Sequence, residues 1–228
     1  MKKIFLYFII FSNITYASFD TGKLVAIVGA MCAGKTEELN RILHRYDLAR
    51  IPVVVFKPDT DTRVFTENNG AVIHEQPTAQ IQSRTGSSRS CYPFATCSTI
   101  SNIIEEKKPK IIAFDEIMLA KDPKVLIALI KNLLKEGKQI FVAGLDSDFR
   151  GEPFGCMPEL LALADQVIKL TAICSVCKKD TYCLTQRLID GRPAHEDDPI
   201  IMVEGSCKEQ KYEPRCRNCH IVRKRNQE

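Results

Sequence analysis

Residues Gly29-Ala30-Met31-Cys32-Ala33-Gly34-Lys35-Thr36 spell G-x-x-x-x-G-K-T directly after the run Lys23–Val28, which is apolar beyond its first residue. No other stretch constrains the fold as strongly, because this one demands a strand, a glycine-bearing turn and a helix in that order. The glycines let the backbone fold back so that successive N–H groups converge on phosphate oxygens. Lys35 then reaches the β/γ-oxygens, and the Thr36 hydroxyl can ligate Mg2+. The plain alternative is a glycine-rich turn with an exposed lysine, and the flanking strand and helix patterns argue against it. The spacing predicts a nucleoside-triphosphate site.

Around that site the apolar periodicity lays out an α/β chain. Lys23–Gly29 reads as a buried strand and Lys35–Ala49 as a helix with Leu39, Ile42, Leu43 and Tyr46 on one face. Pro52–Phe56, Lys110–Phe114, Gln139–Ala143 and Gln166–Leu170 are apolar runs of the kind that marks strands covered on both faces. Helices are expected at Thr99–Lys107, at Pro123–Lys135 before Gly137, and at Met157–Ala164. Residues 58–98 are polar, carry Asn-Asn-Gly and Ser-Arg-Thr-Gly-Ser-Ser turn signals, and read as a long excursion with little regular structure. Strands alternating with helices predict a parallel sheet with helices on both faces. After Ala172 the pattern changes to short β-prone pieces between cysteine pairs. The expected organisation is an N-terminal extension over 1–20, a P-loop domain over 21–171, a small zinc-binding β lobe over 172–220 and a basic tail over 221–228.

Two further constellations carry chemistry. Ile111-Ile112-Ala113-Phe114-Asp115-Glu116 is an apolar strand that ends in two carboxylates. In P-loop proteins an acid at that strand end reaches the metal ion, a role that suits Asp115. Glu116 leaves the strand in another direction and is placed to accept a proton from an attacking hydroxyl or water. Two surface acids capping a strand are the bland alternative, which the upstream P-loop disfavours. Asp61-Thr62-Arg63 follows the second strand, with Arg63 a candidate phosphate clamp and Asp61 beside it.

The second constellation is Cys174-x-x-Cys177 and Cys216-x-x-Cys219, four of ten cysteines. Two such pairs make a tetrahedral S4 zinc site with Zn–S near about 2.3 Å, and four thiolates leave no position open for catalysis. His220 adjoins Cys219 and is an alternative ligand that the C-x-x-C spacing disfavours.

The formal net charge of +4 is too mild to argue for nucleic acid, and part of it sits in the tail at Arg215, Arg217, Arg223, Lys224 and Arg225. At the other end, Lys2 and Lys3 precede the apolar run Ile4–Phe11, with Thr15 and Ala17 placed like a signal-peptidase site. That run is too short to span a bilayer as a mature helix. ATP chemistry and reduced zinc cysteines belong inside the cell, so the segment is read as a dispensable extension of a cytoplasmic protein, with export as the alternative.

With these motifs in place, the chain resembles the cellular-type (type II) thymidine kinases. The resemblance runs from Gly22 to His220 through Gly29–Leu39, Asp61-x-Arg63 and Asp115-Glu116. It continues through Gly144-Leu145-Asp146-Ser147-Asp148-Phe149-Arg150-Gly151-Glu152-Pro153-Phe154-Gly155, Thr185-Gln186-Arg187-Leu188 and Lys211-Tyr212-Glu213-Pro214-Arg215-Cys216-Arg217-Asn218-Cys219-His220. It implies a RecA-like P-loop core, a homotetramer, and transfer of the ATP γ-phosphate to thymidine with Glu116 as the base. The ATP-binding set is then Gly29–Thr36 with Asp115, Glu116, Ile117 and Met118, and the phosphate and Mg2+ set is Thr36, Asp61, Arg63 and Asp115. The implied nucleoside pocket takes Met31, Leu119, Leu145, Phe149 and Thr185, with Tyr212 over the base. Ile200, Ile201, Met202, Val203 and Glu204 match a loop whose backbone reads the pyrimidine edge. No nucleic-acid or membrane partner is implied for the mature protein.

Two departures stand out. Family members usually follow Asp-Glu with a small or branched residue and then Gln-Phe, whereas this chain has Ile117-Met118-Leu119. The stretch Glu204–Gln210 is also longer than the usual form. A different class of protein, a P-loop ATPase gripping nucleic acid with its zinc ribbon and basic tail, predicts salt-dependent binding and turnover without a nucleoside. The sequence lacks the aromatic-interleaved basic stripe of single-strand binders. A nonenzymatic relative is the third reading, supported only by Met118 and Leu119.

Overall fold

The computed structural model describes residues 21–61, 79–83, 86–201 and 210–224. The extension 1–20, Arg63, Met202, Val203, Glu204, the rest of the longer stretch up to 209 and the chain end from Arg225 lie outside the described residues.

Seven strands form the main sheet: β1 (Lys23–Val28), β2 (Val53–Pro58), β3 (Ala79–Gln82), β4 (Ser88–Phe94), β5 (Ile111–Phe114), β6 (Gln139–Gly144) and β7 (Gln166–Lys169). Their order is β3-β4-β2-β5-β6-β1-β7, and every neighbouring pair runs parallel except β3 with β4. The apolar runs become strands because both faces of the sheet are covered, so continuous hydrophobicity is what each position needs. Helix α1 (Lys35–Leu48) packs Leu39, Ile42 and Leu43 on one face against Val25, Ile27, Ala113 and Phe141. The other face takes α2 (Cys97–Lys107), α3 (Pro123–Lys135) and α4 (Met157–Leu163) through Ile100, Ile103, Leu126, Ile130 and Leu160. Leu39 and Leu43 are fully buried, worth about 2 kcal/mol each. They anchor α1, and with it the loop that precedes it.

Residues 58–98 do not stay irregular as the sequence pattern suggested. They include β3 and β4 and the start of α2, and β3 supplies the antiparallel edge of the sheet. These strands escape a periodicity reading because they lie toward the margin of the sheet. In β4 only Cys91 and Phe94 are buried, while Ser88 and Ser90 are exposed.

The chain beyond β7 forms two small antiparallel sheets. One pairs β8 (Ala172–Ile173) with β9 (Asp180–Thr181); the other orders β11 (Arg192–Pro193), β10 (Cys183–Ile189) and β12 (Gln210–Cys216). The β10–β11 hairpin closes on Asp190-Gly191, both at positive φ (49° and 75°), the backbone that matches a two-residue loop to strand twist. No described helix is long and apolar enough to cross a membrane.

Candidate active site and metal centre

The P-loop leaves the C-terminal end of β1, and Asp115-Glu116 leaves the C-terminal end of β5, with β6 between them. Strands lie about 4.8 Å apart, so the two motifs emerge on one rim roughly 10 Å from each other. The loop folds back across that gap: the Thr36 hydroxyl donates to Asp115 Oδ2 at 3.0 Å. Lys35 is buried, and its Nζ donates to Ala30 O at 2.9 Å, so the ammonium lies on its own loop. Asp115 N in turn donates to Phe56 O at 2.9 Å, which registers the acid against β2.

Glu116 is buried and adopts φ 50°, ψ 36° at the entrance to a 3-10 turn, Ile117–Leu119. Left-handed backbone at a non-glycine residue costs about 1–2 kcal/mol, and such strain persists only where surroundings over-determine it. The surroundings are visible. Ile117 and Met118 are buried in the core, and Gly155 packs so closely that a Cβ there would lie 2.3 Å from Met118 O. The side chains of Ile117 and Met118 are therefore committed to the core, which leaves only their backbone on the side of the turn away from it. Leu119 is partly buried against the same core, and its carbonyl accepts from Thr60 Oγ1 at 3.2 Å.

Asp61 is buried, with Lys57 Nζ at 3.5 Å from its Oδ2. Lys57 itself is 1% exposed. The neighbouring Cys91 thiol is pushed up to about 12, chiefly by burial; Lys57 pulls it down, while Asp115 and Asp61 push it further up. Lys57, Asp61, Asp115 and Cys91 thus form one electrostatic neighbourhood. Sequence reasoning missed Lys57. The available signal was a lysine next to last in a buried strand, followed by Pro58 and Asp59-x-Asp61.

The residues assigned to the nucleoside come from the P-loop, the turn after β5, the loop after β6, strands β10 and β12, and the segment beyond β11. Met31 N in the P-loop donates to Thr185 Oγ1 on β10 at 3.0 Å. Phe149 is carried by the loop after β6, which Asp148 organises: its Oδ1 accepts from Arg150 N at 2.8 Å and Glu152 N at 3.1 Å, and its Oδ2 from Arg150 Nε at 3.0 Å. The Phe149 ring is buried, and the Arg187 guanidinium carbon lies 3.7 Å from its centroid. Tyr212 sits directly opposite Arg187 in the β10–β12 register, hence on the same face of that sheet. Leu145 packs against the core from just beyond β6, and Ile200 and Ile201 are exposed. Arg187 carries no role in a motif reading, and alternation along β10 gives no signal for it, because Gln186 and Leu188 on the opposite face are buried as well.

The four cysteines converge. Their sulfur atoms all lie within 4.8 Å of one another, and Cys177 Sγ and Cys216 Sγ are 3.7 Å apart. A tetrahedron with arms of about 2.3 Å has S···S edges of about 3.8 Å, so these residues fit a four-thiolate zinc site. Backbone N–H groups, that of Cys216 foremost, lower the Cys174 thiol, while the surrounding cysteines, Cys216 foremost, raise that of Cys219; the cluster titrates as one unit, in which a bound cation would favour the fully ionised set. His220 is not part of the cluster; its Nε2 pairs with Phe149 O at 2.9 Å, and burial lowers its pKa below the ordinary imidazole value. The cysteine cluster packs on Ala30 and Ala33 of the P-loop. The cysteines that would hold a zinc ion and the phosphate loop thus share one small apolar cluster, a juxtaposition that no spacing in the sequence announced.

A family model described as thymidine kinase matches residues 22–220. The match takes in the P-loop, the Asp115-Glu116 strand end and all four clustered cysteines, and the chain belongs to the thymidine kinase family.

Proposed function

We propose that this kinase transfers the γ-phosphate of ATP to the 5′-hydroxyl of thymidine, giving dTMP and ADP. One observation carries the reading: Thr36 and Asp115 meet at 3.0 Å with Glu116 next in the chain, buried and held in a left-handed turn. Phosphoryl transfer asks mainly for positioning and charge neutralisation, and those three side chains with Lys35 supply both. The P-loop backbone and Lys35 hold the donor phosphates. Thr36 and Asp115 would hold Mg2+, which when bound neutralises charge on the β- and γ-oxygens. Glu116 takes the proton of the 5′-hydroxyl as the O5′–Pγ bond forms. The bond between Pγ and the β,γ-bridging oxygen breaks, and that oxygen leaves with ADP, carrying the electron pair.

Recognition of the base rests on the same reading. Backbone N–H and C=O groups beginning at Ile200 and Ile201, with Tyr212 and Phe149, accept thymidine and deoxyuridine. Deoxycytidine presents a donor where an acceptor is needed, and the mismatch of buried polar groups disfavours it by about 10²-fold or more. The thymine methyl adds only about 1 kcal/mol, so thymidine leads deoxyuridine by roughly tenfold or less. A cytoplasmic homotetramer with one structural zinc per chain completes the proposal, and light scattering with metal analysis tests that part.

The test is purified protein with Mg-ATP and a panel of nucleosides, with ADP and nucleotide product measured in each. Thymidine-dependent ADP formation with dTMP as product is expected. Preference for deoxycytidine or a purine deoxynucleoside would refute the base assignment, and ATP turnover independent of any nucleoside would refute the kinase reading.

A further inference from the structure

Arg187 is fully buried, the largest side chain in the described protein to be so. A buried guanidinium is costly unless its charge and donors are met, and an apolar side chain of similar volume would avoid that cost. Here the compensation comes from an unusual set of partners. Nη1 donates to Pro199 O at 2.6 Å and lies 3.4 Å from Ile200 O. The flat face covers the Phe149 ring at 3.7 Å, within the range where a cation is attracted to the aromatic quadrupole. Among the described residues the carboxylate paired with it is that of Asp198, whose Oδ2 is 4.0 Å from Nη2 and accepts from His195 N at 2.7 Å. Among the described residues Nε and Nη2 have no hydrogen-bond partner.

Resting on the nucleoside-kinase reading above, we propose that Arg187 is a positioning residue for nucleoside selection. It ties the Phe149 ring to the backbone at Pro199–Ile200, so that the aromatic wall and the base-reading segment hold one spacing, with Tyr212 beside it on the same sheet face. Three segments meet at this side chain: the loop after β6, strand β12 and the chain leading out of β11. No backbone hydrogen bond among the described residues joins Phe149 to Pro199 or Ile200, and Arg187 reaches both. The role needs a planar cation with separated donors. Lysine offers a point charge on a flexible stem, and it can neither cover a ring face nor hold two carbonyls in fixed geometry.

The experiment measures Arg187→Lys and Arg187→Met in the intact, zinc-loaded chain. The thymidine KM should rise about tenfold or more in both variants, while the ATP KM and kcat at saturating thymidine stay within about twofold. Zinc content and the urea midpoint report folding separately. A purely structural arginine predicts the opposite pattern, with zinc, ATP binding and turnover declining together and no split between KM and kcat. That pattern in both variants overturns the proposal, as does a thymidine KM within about twofold of wild type in Arg187→Met. Restoration of the wild-type KM by lysine also overturns it, because bare charge would then suffice. Should Arg187→Met fail to fold, Arg187→Gln keeps a planar donor group but loses the charge and the reach to both Phe149 and Pro199, and the same split is expected; a thymidine KM within about twofold of wild type there overturns the proposal. Absence of thymidine turnover in the wild type overturns the functional reading and this proposal with it, whereas an active wild type with unaltered Arg187 variants overturns this proposal alone.

Discussion

Replacing Gly155 by alanine tests whether the turn after Glu116 is held by a backbone contact far away in sequence. Gly155 has φ +54°, and an added Cβ would lie 2.3 Å from Met118 O and 3.1 Å from Met118 C and Cα, all main-chain atoms. Ordinary contact begins near about 3.4 Å, so the two backbones must part by roughly 1 Å, an overpacking cost of about 1–3 kcal/mol. The left-handed conformation adds about 1–2 kcal/mol, for a total of roughly 2–5 kcal/mol. At about 2–4 °C per kcal/mol for a chain of this size, Tm should fall by roughly 4–20 °C. Gly191→Ala is the control: its φ is +75° and nothing lies within 4 Å of the added methyl, so only the conformational cost of about 1–2 kcal/mol applies. The contact also has a catalytic consequence. Met118 lies two residues beyond Glu116, and misplacing a catalytic group by about 1 Å costs up to about 10²-fold in turnover. Urea unfolding and steady-state kcat on both variants provide the assay. Equal destabilisation by the two substitutions, with normal kcat in Gly155→Ala, would refute the argument.

Glu116→Gln keeps shape and hydrogen bonding while removing the base, so kcat should drop by about 10² or more with ATP and thymidine binding little changed; near-normal turnover sinks the assignment. Thr185→Val removes the acceptor of Met31 N and leaves a part-buried P-loop N–H unpaired. That costs about 1–3 kcal/mol, to be read as weaker ATP binding by calorimetry, and unchanged ATP affinity would show the link to be idle. Cys216→Ser should release zinc and unfold the β10–β12 sheet. Because the cluster packs on Ala30 and Ala33, ATP and thymidine binding should fail together, and retention of full ATP affinity in the zinc-free protein would contradict that coupling.

Much of this protein was legible in its sequence, for reasons that are local. A P-loop is a backbone device whose glycines, lysine and threonine sit at contiguous positions, so spacing alone reveals it. Strands buried on both faces announce themselves as unbroken apolar runs, and α3 has Pro123 in its first turn and Gly137 just past its end, which made its bounds readable. Paired C-x-x-C motifs likewise declare their chemistry by number and interval. Where the signal weakened, the residues sat at a margin: β3 and β4 are edge-side strands with polar faces, and their hairpin is invisible to periodicity.

Tertiary structure alone decided everything that depends on which distant segments touch. The meeting of Thr36 with Asp115, of Met31 with Thr185, and of the cysteine cluster with Ala30 each joins residues between about 80 and 190 positions apart, and no local propensity encodes such distances. The sequence by itself determined that the chain has a glycine-bearing P-loop motif, two acids at a strand end and two C-x-x-C pairs. Folding determined that Lys57 is buried beside Asp61 and that His220 turns away from the metal site toward Phe149. It also determined that a fully buried arginine faces an aromatic ring, because the environment of a charge is set by packing and not by its neighbours in the chain.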